Sequence, residues 1–380
     1  MKFRIEKYFF DLAEELAFIN IKNDGEFILQ GYELKEGLEV PIKNSVLVKG
    51  IKNRTAQDEL NIMSIADAMI YMIGIDSNFV YNEEYIKFLQ AFSKKVNLNI
   101  RDYAGYMSRK NFEEGSLREA LVYIKSLITI YENDVDALYN YAVICQELAL
   151  GYKADKNEKA FNNFLLEAVE KLEEILKIDE DYESAYYQLG FHYMNQNQFI
   201  KAKLAWQKAL EMGVDDEIHS EIQDNLMKIH KKVQYEEGCN LIFQGNPQQA
   251  LEKLLPLESE YPDWWNLLFM IGLSYRYLNQ LDEAMRYFEK ILMLYPKQVD
   301  TMSEMGLIYA LKGQFEKSIE IFSNALKIKE DPEILCNLGM VYLNNGELDE
   351  AKYYIERAYE LNPDDEVTIS CLNEIQKYMS

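Results

Sequence analysis

The chain has 380 residues, 48% of them hydrophobic and 27% charged, which is enough apolar material for a real core and excludes both a disordered and a membrane-embedded composition. Its net charge of −24 is unevenly placed: residues 1–100 carry −3 and residues 101–380 carry −21, a field that repels nucleic acid and anionic lipid and attracts basic partners. The four cysteines (Cys145, Cys239, Cys336, Cys371) are dispersed with no CxxC, which argues against a zinc site or a disulfide framework.

The opening residues lack an apolar core of the kind a signal peptide needs, because Asp11, Glu14 and Glu15 interrupt it. No stretch is long and apolar enough to span a bilayer, so a cytoplasmic protein without membrane insertion is expected. Residues 3–18 read as a helix with a Tyr8, Phe9, Leu12, Leu16 stripe. FILQGYEL (27–34) and SVLVKGI (45–51) read as short strands or extended segments. Helices are expected again at about 55–74 and 82–96, with Thr55 and Glu59 as a weak start signal for the first. Residues 1–99 therefore form an N-terminal module, α or α+β. Its basic cluster (Lys43, Lys49, Lys52, Arg54) is thin and no basic recognition helix follows, so no nucleic-acid partner is expected.

From residue 100 the pattern becomes helical. Residues 100–112 and 113–134 read as a degenerate first hairpin, with Ala120, Ile124 and Leu127 on one face of its second helix. ALYNYAVICQEL (137–148) begins a second hairpin, with Ala142 at its tight position. From there the regular part follows. LGFHYMNQNQFIKAKLAWQKAL (189–210), GCNLIFQGNPQQALEKLLPLESEYP (238–262), IGLSYRYLNQLDEAMRYFEKILMLYP (271–296), MGLIYALKGQFEKSIEIFSNALKI (305–328) and LGMVYLNNGELDEAKYYIERAYELNP (338–363) share phase. A Gly recurs at 238, 272, 306 and 339, spaced 34, 34 and 33 residues, and a small residue stands twelve further on in each unit.

This pattern resembles the tetratricopeptide repeat, a 34-residue helix–turn–helix unit. The small residues let two antiparallel helices approach, and the large residue four beyond the second (Trp206, Phe288, Phe322, Ile355) fills the space beside them. The resemblance implies an all-α fold in the main, a right-handed superhelical solenoid over 100–363, irregular to 182 and regular from 183. Residues 364–380 form a capping helix with Ile369, Leu372, Ile375 and Met379 on its covering face. Two intervals, Ala142 to Gly190 and Gly190 to Gly238, are 48 residues each, 14 more than the repeat. The first excess reads as two hairpin helices each lengthened by about two turns around KADKN. The second reads as a long helix from about Glu217 to Phe243, or as an extra short helix. Such extensions are either a second contact surface or a neutral lengthening of an exposed edge.

No phosphate-loop, dinucleotide, HExxH or GxSxG motif occurs. His192 lies in a repeat helix, and His219 and His230 lie three turns apart, too far to share a metal. No enzyme, cofactor or metal is expected. In the family, helix A positions 2, 5, 6, 9, 12 and 13 line the concave face where peptides lie. Carried over, the resemblance implies Tyr187, Phe191, Met194 and Asn195, then Lys232, Tyr235, Ile242 and Phe243, then Phe269, Leu273, Arg276 and Tyr277. Leu307 and Leu311, then Asn337, Met340 and Asn344, follow in the last two repeats. Members that clamp a chaperone's C-terminal carboxylate use Lys, Arg and Asn there, and only Lys232 and Arg276 are present, so an amphipathic or extended apolar segment, or a basic one, is the expected ligand. The resulting expectation is an interaction scaffold or adaptor. The other reading is a peptide-sensing regulator whose repeats control the N-terminal module.

Overall fold

Phe3 and Ile5 are both buried, as are Phe9, Leu12 and Leu16. Positions 3 and 5 do not share a face of an α-helix, and the chain turns at Arg4 and Ile5 instead of entering one. The computed structural model, which describes residues 3–20, 28–29, 32–33, 37–53, 62–96 and 99–379, accordingly replaces the expected helix over 3–18. Two 3₁₀ turns, Glu6–Tyr8 and Phe10–Glu15, lead into strand β1, Leu16–Asn20. A short hairpin, β2 (Ile28–Leu29) and β3 (Tyr32–Glu33), falls within the segment read as extended. Strand β4 (Glu39–Lys43) pairs antiparallel with β1, from Leu16 opposite Lys43 to Asn20 opposite Glu39. Pro41 is tolerated because both strands of a two-stranded sheet are edges.

SVLVKGI is not a strand: it lies in helix α1, Asn44–Asn53. A short apolar run reads equally as strand or helix, and here Asn44 donates its side-chain amide to the Glu14 carbonyl (2.9 Å) and turns the chain at the end of β4. Helix α2 is described over Ile62–Ile75, and the Thr55–Glu59 start signal lies outside the described residues. Helix α3 spans Asn82–Val96 as expected.

Residues group into two compact bodies, Met1–Asp224 and Asn225–Ser380. In the N-terminal body the first repeat is α4 (Ile100–Glu113) and α5 (Leu117–Ile130). Every residue of α5 from Ala120 to Ile128 is buried, because α2, the helix that follows (Val135–Ala154) and Glu6 of the N-terminal segment pack on the sides that α4 does not. Gly74 of α2 makes this possible, since a Cβ there would lie 2.0 Å from the Val122 carbonyl oxygen. Asp67 of α2 ties the pieces together. It accepts from Tyr123 (2.7 Å) and Tyr103 (2.9 Å) and pairs with Lys43 of β4 at 2.9 Å. The hydrophobic core runs without interruption from Phe3 to Ala205, so the N-terminal residues and the first repeats share one interior.

The buried face of α5 carries a lysine. Lys125 Nζ donates to Glu6 Oε1 at 2.5 Å and to the Ile75 carbonyl at 3.3 Å, and Glu6 also accepts from the Ser77 N–H at 2.6 Å. Burial lowers the Lys125 ammonium below the ordinary lysine value even with Glu6 beside it. The Phe3 ring lies between the ammonium groups of Lys125 (4.8 Å) and Lys171 (5.0 Å). Buried Glu167 accepts the Arg4 N–H (2.8 Å) and the Tyr141 hydroxyl (3.1 Å).

The second repeat is the lengthened hairpin, α6 (Val135–Ala154) and α7 (Glu158–Ile178), turning at Asp155–Asn157. Its extra turns have an occupant. The Tyr8 ring packs on Tyr152 (6.0 Å) and Phe164 (5.3 Å), Phe9 on Phe164 (6.2 Å), and Asn163 donates to the Tyr8 hydroxyl at 3.1 Å. The first 14-residue excess is a dock for the chain's own N-terminal segment. The third repeat follows as α8 (Glu183–Asn195) and α9 (Phe199–Met212). The second excess becomes α10, a single helix from Asp216 to Phe243, the long-helix alternative.

The C-terminal body continues with α11 (Pro247–Glu258), α12 (Trp265–Tyr277), α13 (Leu281–Leu294), α14 (Val299–Leu311), α15 (Phe315–Ile328), α16 (Pro332–Asn345) and α17 (Leu348–Leu361). The spacing logic is met in space: a Cβ on Gly272, Gly306 or Gly339 would approach Phe288, Phe322 or Ile355 within 2.5–2.7 Å. The last helix, α18 (Glu366–Met379), covers the final repeat with Ile375, buried against Ala351 and Ile355, and with Cys371 and Leu372. Ile369, expected on the covering face, is instead 39% exposed, and the Met379 side chain lies outside the described residues. The described residues are thus predominantly helical, stacked helix pairs in each body, with two short strand pairs among the N-terminal residues.

Candidate functional site

In the first repeat the small residue twelve before Ala120 is Ser108, whose Oγ donates to the Ala120 carbonyl at 2.9 Å where α4 crosses α5. Three residues earlier stands Gly105, on the face of α4 that looks toward α6. Gly74, Gly190, Gly238, Gly272, Gly306 and Gly339 all sit where a Cβ would strike a neighbour, but a Cβ on Gly105 would meet only Leu127 Cδ1, at 4.0 Å. Gly151, in the last turn of α6, also faces open space. A glycine inside a helix costs about 1 kcal/mol relative to alanine, and packing does not require this one.

The room it leaves is a groove between α4 and α6. Two adjoining clefts of about 390 and 170 Å³ share Gly105, Arg109, Ile124 and Asn140. Ile124 and Leu127 of α5 form the floor, and Tyr106, Arg109, Phe112, Asn140 and Val143 form the walls. Tyr106 is 61% exposed and Phe112 37%, while the apolar floor is buried. At one end Arg101 donates through Nη2 to Asp134 Oδ1 (2.8 Å) and to Asp136 (3.2 Å), and its Nε also meets Asp134. Burial works against the Asp134 carboxylate, but Arg101 and the Ala137 N–H hold it below the usual range. Those charges are matched by one another. Arg109 has no ion-pair partner among the described residues, and Asn140 donates to the Asp136 carbonyl at 2.8 Å.

The same face continues into the third repeat. Tyr139 meets Tyr182 (rings 5.7 Å apart), and burial pushes the Tyr182 hydroxyl up to about 12. The Gln146 amide meets the Nε2 of His192 at 2.5 Å, and burial lowers His192 to about 4, so the ring is neutral and accepts from the amide. Tyr187 donates to Glu221 (2.7 Å) and packs edge-on against Phe191, which packs edge-on against buried Trp206. Of the other expected residues here, Met194 is half-buried and Asn195 exposed.

In the C-terminal body Lys232 and Phe243 are exposed, Ile242 is buried, and Tyr235 is packed on Trp264 with ring centres 4.4 Å apart. Leu273 is buried at 7% exposure and Phe269 is half-buried against Phe288, 5.7 Å away. Arg276 pairs with Glu304 and lies over the Tyr277 ring at 4.7 Å, so its charge is matched within the body, while Tyr277 itself is 52% exposed. Leu307, Asn337 and Met340 are half-buried, and Leu311 and Asn344 are exposed. The expected positions thus divide into solvent-facing residues and residues partly or wholly buried or paired within their own body.

Gly105, Tyr106, Arg109, Phe112, Asn140 and Val143 were not singled out from the sequence. The signal was present: counting back twelve from Ala120 gives Ser108, and three more gives Gly105.

Family models for the tetratricopeptide repeat match residues 265–298 and 332–365, and a second TPR-repeat model matches 306–346. A TPR repeat-containing protein of Methanocaldococcus jannaschii is 22% identical over 267 residues, covering 69% of this chain and 43% of the relative. The chain therefore spans less than half the length of that relative. A photosystem I assembly protein, Ycf3, of Prochlorococcus marinus is 28% identical over 124 residues, 30% of this chain and 71% of its own. Among solved structures, the type IV pilus biogenesis factor PilW is 17% identical, covering 61% of this chain and 98% of its own, with a TM-score of 0.38. A thermophilic TPR protein of Thermus thermophilus is 21% identical, covering 51% and 98%, with a TM-score of 0.37. With the phase of its glycines, the helix pairs they join and the matching repeat models, the chain carries tetratricopeptide repeats.

Proposed function

We propose that this protein is a non-catalytic scaffold that holds a segment of another protein in the groove between α4 and α6. The observation that carries the reading is Gly105, a helix-interior glycine that packing does not need and whose missing side chain opens the groove to the apolar floor at Ile124 and Leu127. The fitting ligand is amphipathic. It buries an apolar side chain at Gly105 between Tyr106 and Val143, and presents a carboxylate to Arg109 and the Asn140 amide. The strongly acidic remainder of the chain speeds encounter with a partner that is basic elsewhere. Each body also offers solvent-facing residues at the expected concave-face positions, Asn195 in the N-terminal one and Lys232, Tyr277 and Asn344 in the C-terminal one.

The test is selection of peptides from a random display library against the full chain, followed by affinities for Tyr106→Asp and Arg109→Asp. Each should lose about tenfold or more, as central interface residues do, with unchanged folding. Unchanged affinity in both variants would remove the groove from the account.

A second reading, in which the repeats sense a peptide and control the N-terminal module, is favoured by one contact. Ile124 and Leu127 lie on the same helix as Tyr123, which donates to Asp67 of α2. Peptide binding that alters hydrogen exchange across 62–75 supports it, and exchange unchanged at saturation removes it.

A further inference from the structure

The four thiols differ in what faces them. Cys145 is fully buried beside Tyr141 and Glu167, and Cys239 is half-buried beside Tyr235, each without a second thiol. Cys336 is different. It sits on α16, the first helix of the final repeat, and its thiol donates to Cys371 Sγ on α18 across 2.9 Å. The two sulfurs are therefore in contact while belonging to separate helices, with the whole of α17 in the sequence between them.

The surroundings set an order of reaction. Cys336 is 3% exposed, and burial, followed by the bond to Cys371, pushes its thiol well above the ordinary value, so it stays protonated. Cys371 is half-exposed, so its sulfur is the more accessible of the two, and it receives the hydrogen bond from Cys336. A cleft of about 530 Å³ opens beside Cys336, lined by Asp331, Glu333, Asn337, Asn362 and Asp365 among others. Lys329 holds the Asp331 carboxyl below its usual range, and the Thr368 hydroxyl and N–H do the same for Asp365, so both are ionised at neutral pH. An acidic entrance repels anionic disulfides and admits small neutral oxidants.

We propose that Cys336 and Cys371 form a peroxide-responsive dithiol whose oxidation ties α18 to the final repeat. Cys371 attacks one oxygen of a hydroperoxide, the O–O bond breaks, and water (or an alcohol) leaves as Cys371 becomes a sulfenic acid. The Cys336 sulfur then attacks the Cys371 sulfur, expelling the hydroxyl as a second water and leaving the disulfide. Two thiols lose two hydrogens and two electrons, and the peroxide takes both. A dithiol reductant reverses the change. In the reduced protein α18 is held by side-chain packing of Cys371, Leu372 and Ile375. In the oxidised protein a covalent bond spans the joint, closing a loop that contains most of α16, all of α17 and the start of α18.

The experiment uses the full reduced chain, treated with hydrogen peroxide and read by non-reducing peptide mass mapping and by hydrogen exchange. The expected result is a linked Cys336–Cys371 peptide that forms before Cys145 or Cys239 is modified. Exchange over 366–375 should slow at least about tenfold, within what closing a loop of this size supplies, and dithiothreitol should restore it. Cys336→Ser should trap the Cys371 sulfenic acid, detected with dimedone, whereas Cys371→Ser should leave Cys336 unmodified. Hydrogen exchange of the reduced serine variants checks that α18 remains docked. Oxidation of wild-type Cys371 to sulfenic or sulfinic acid without the linked peptide would overturn the proposal. So would links between chains in place of the internal one, or a linked peptide that leaves exchange over 366–375 unchanged.

Discussion

Replacing Glu6 by Gln removes the charge that faces the Lys125 ammonium and keeps an oxygen for the Ser77 N–H. The Lys125 side chain is 1% exposed and Glu6 12%, so the lysine has no water to turn to. Breaking one side of a buried pair costs about 3–5 kcal/mol. The lysine has an escape: it can lose its proton, which from an unfolded-state value of about 10.4 costs roughly 4–5 kcal/mol at pH 7 and roughly 2 at pH 9. The amide oxygen that remains offsets part of this, so a loss of about 2–3 kcal/mol at pH 7 is expected. The direction with pH follows from the depressed lysine. Between its folded and unfolded values the unfolded chain binds the extra proton, so the variant's deficit shrinks as pH rises from 7 to 9. Lys125→Met in the same chain should recover most of the loss, because an apolar replacement of the whole pair is close to neutral. Urea titrations would be followed in a Trp264→Phe, Trp265→Phe background, where Trp206 alone reports on the N-terminal body. A Glu6→Gln loss below about 0.5 kcal/mol, or a double variant no more stable than the single one, would show that the N-terminal segment is not locked onto α5 as described.

Gly190→Ala would place a Cβ 2.1 Å from the indole nitrogen of Trp206, a fully buried ring that donates to the Tyr187 carbonyl at 3.2 Å. Overpacking of this kind should cost about 1–3 kcal/mol, read by the same tryptophan signal, and an unchanged midpoint would contradict the close helix crossing. His192 is lowered by burial to about 4 from an ordinary 6.5, so it contributes stability that is complete above the unfolded value and is lost as pH falls from about 6.5 toward 4. His192→Gln should flatten that acid limb by up to about 3 kcal/mol, and an identical pH profile in the variant would place the ring in water.

The regular repeats were legible because Gly272, Gly306 and Gly339 each meet a partner fixed at sixteen residues' distance (Phe288, Phe322, Ile355), so phase alone specifies the contact. The two lengthened segments were legible as lengths: 20 and 21 residues for α6 and α7, and 28 for α10. What the first of them accommodates was not. Tyr152, Asn163 and Phe164 acquire meaning only once Tyr8 and Phe9 lie on them, a pairing more than 140 residues apart that no periodicity encodes. The N-terminal stripe misled because Tyr8, Phe9, Leu12 and Leu16 do fit one helical face, while Phe3 and Ile5, both buried, do not share one. The groove in the first repeat escaped because Ser108 and Ala142 stand where glycine marks the other repeats, which hid the phase that assigns Gly105 to the open face.

The most direct test of the scaffold reading is Gly105→Leu, with the thermal midpoint and the affinity for a selected peptide measured on the same sample. The account predicts that they move apart. Relief of a helix-interior glycine should leave the midpoint unchanged or raise it, by up to about 1 kcal/mol in stability, while the side chain fills the groove and abolishes binding. Peptide affinity retained in a folded Gly105→Leu protein would contradict the account.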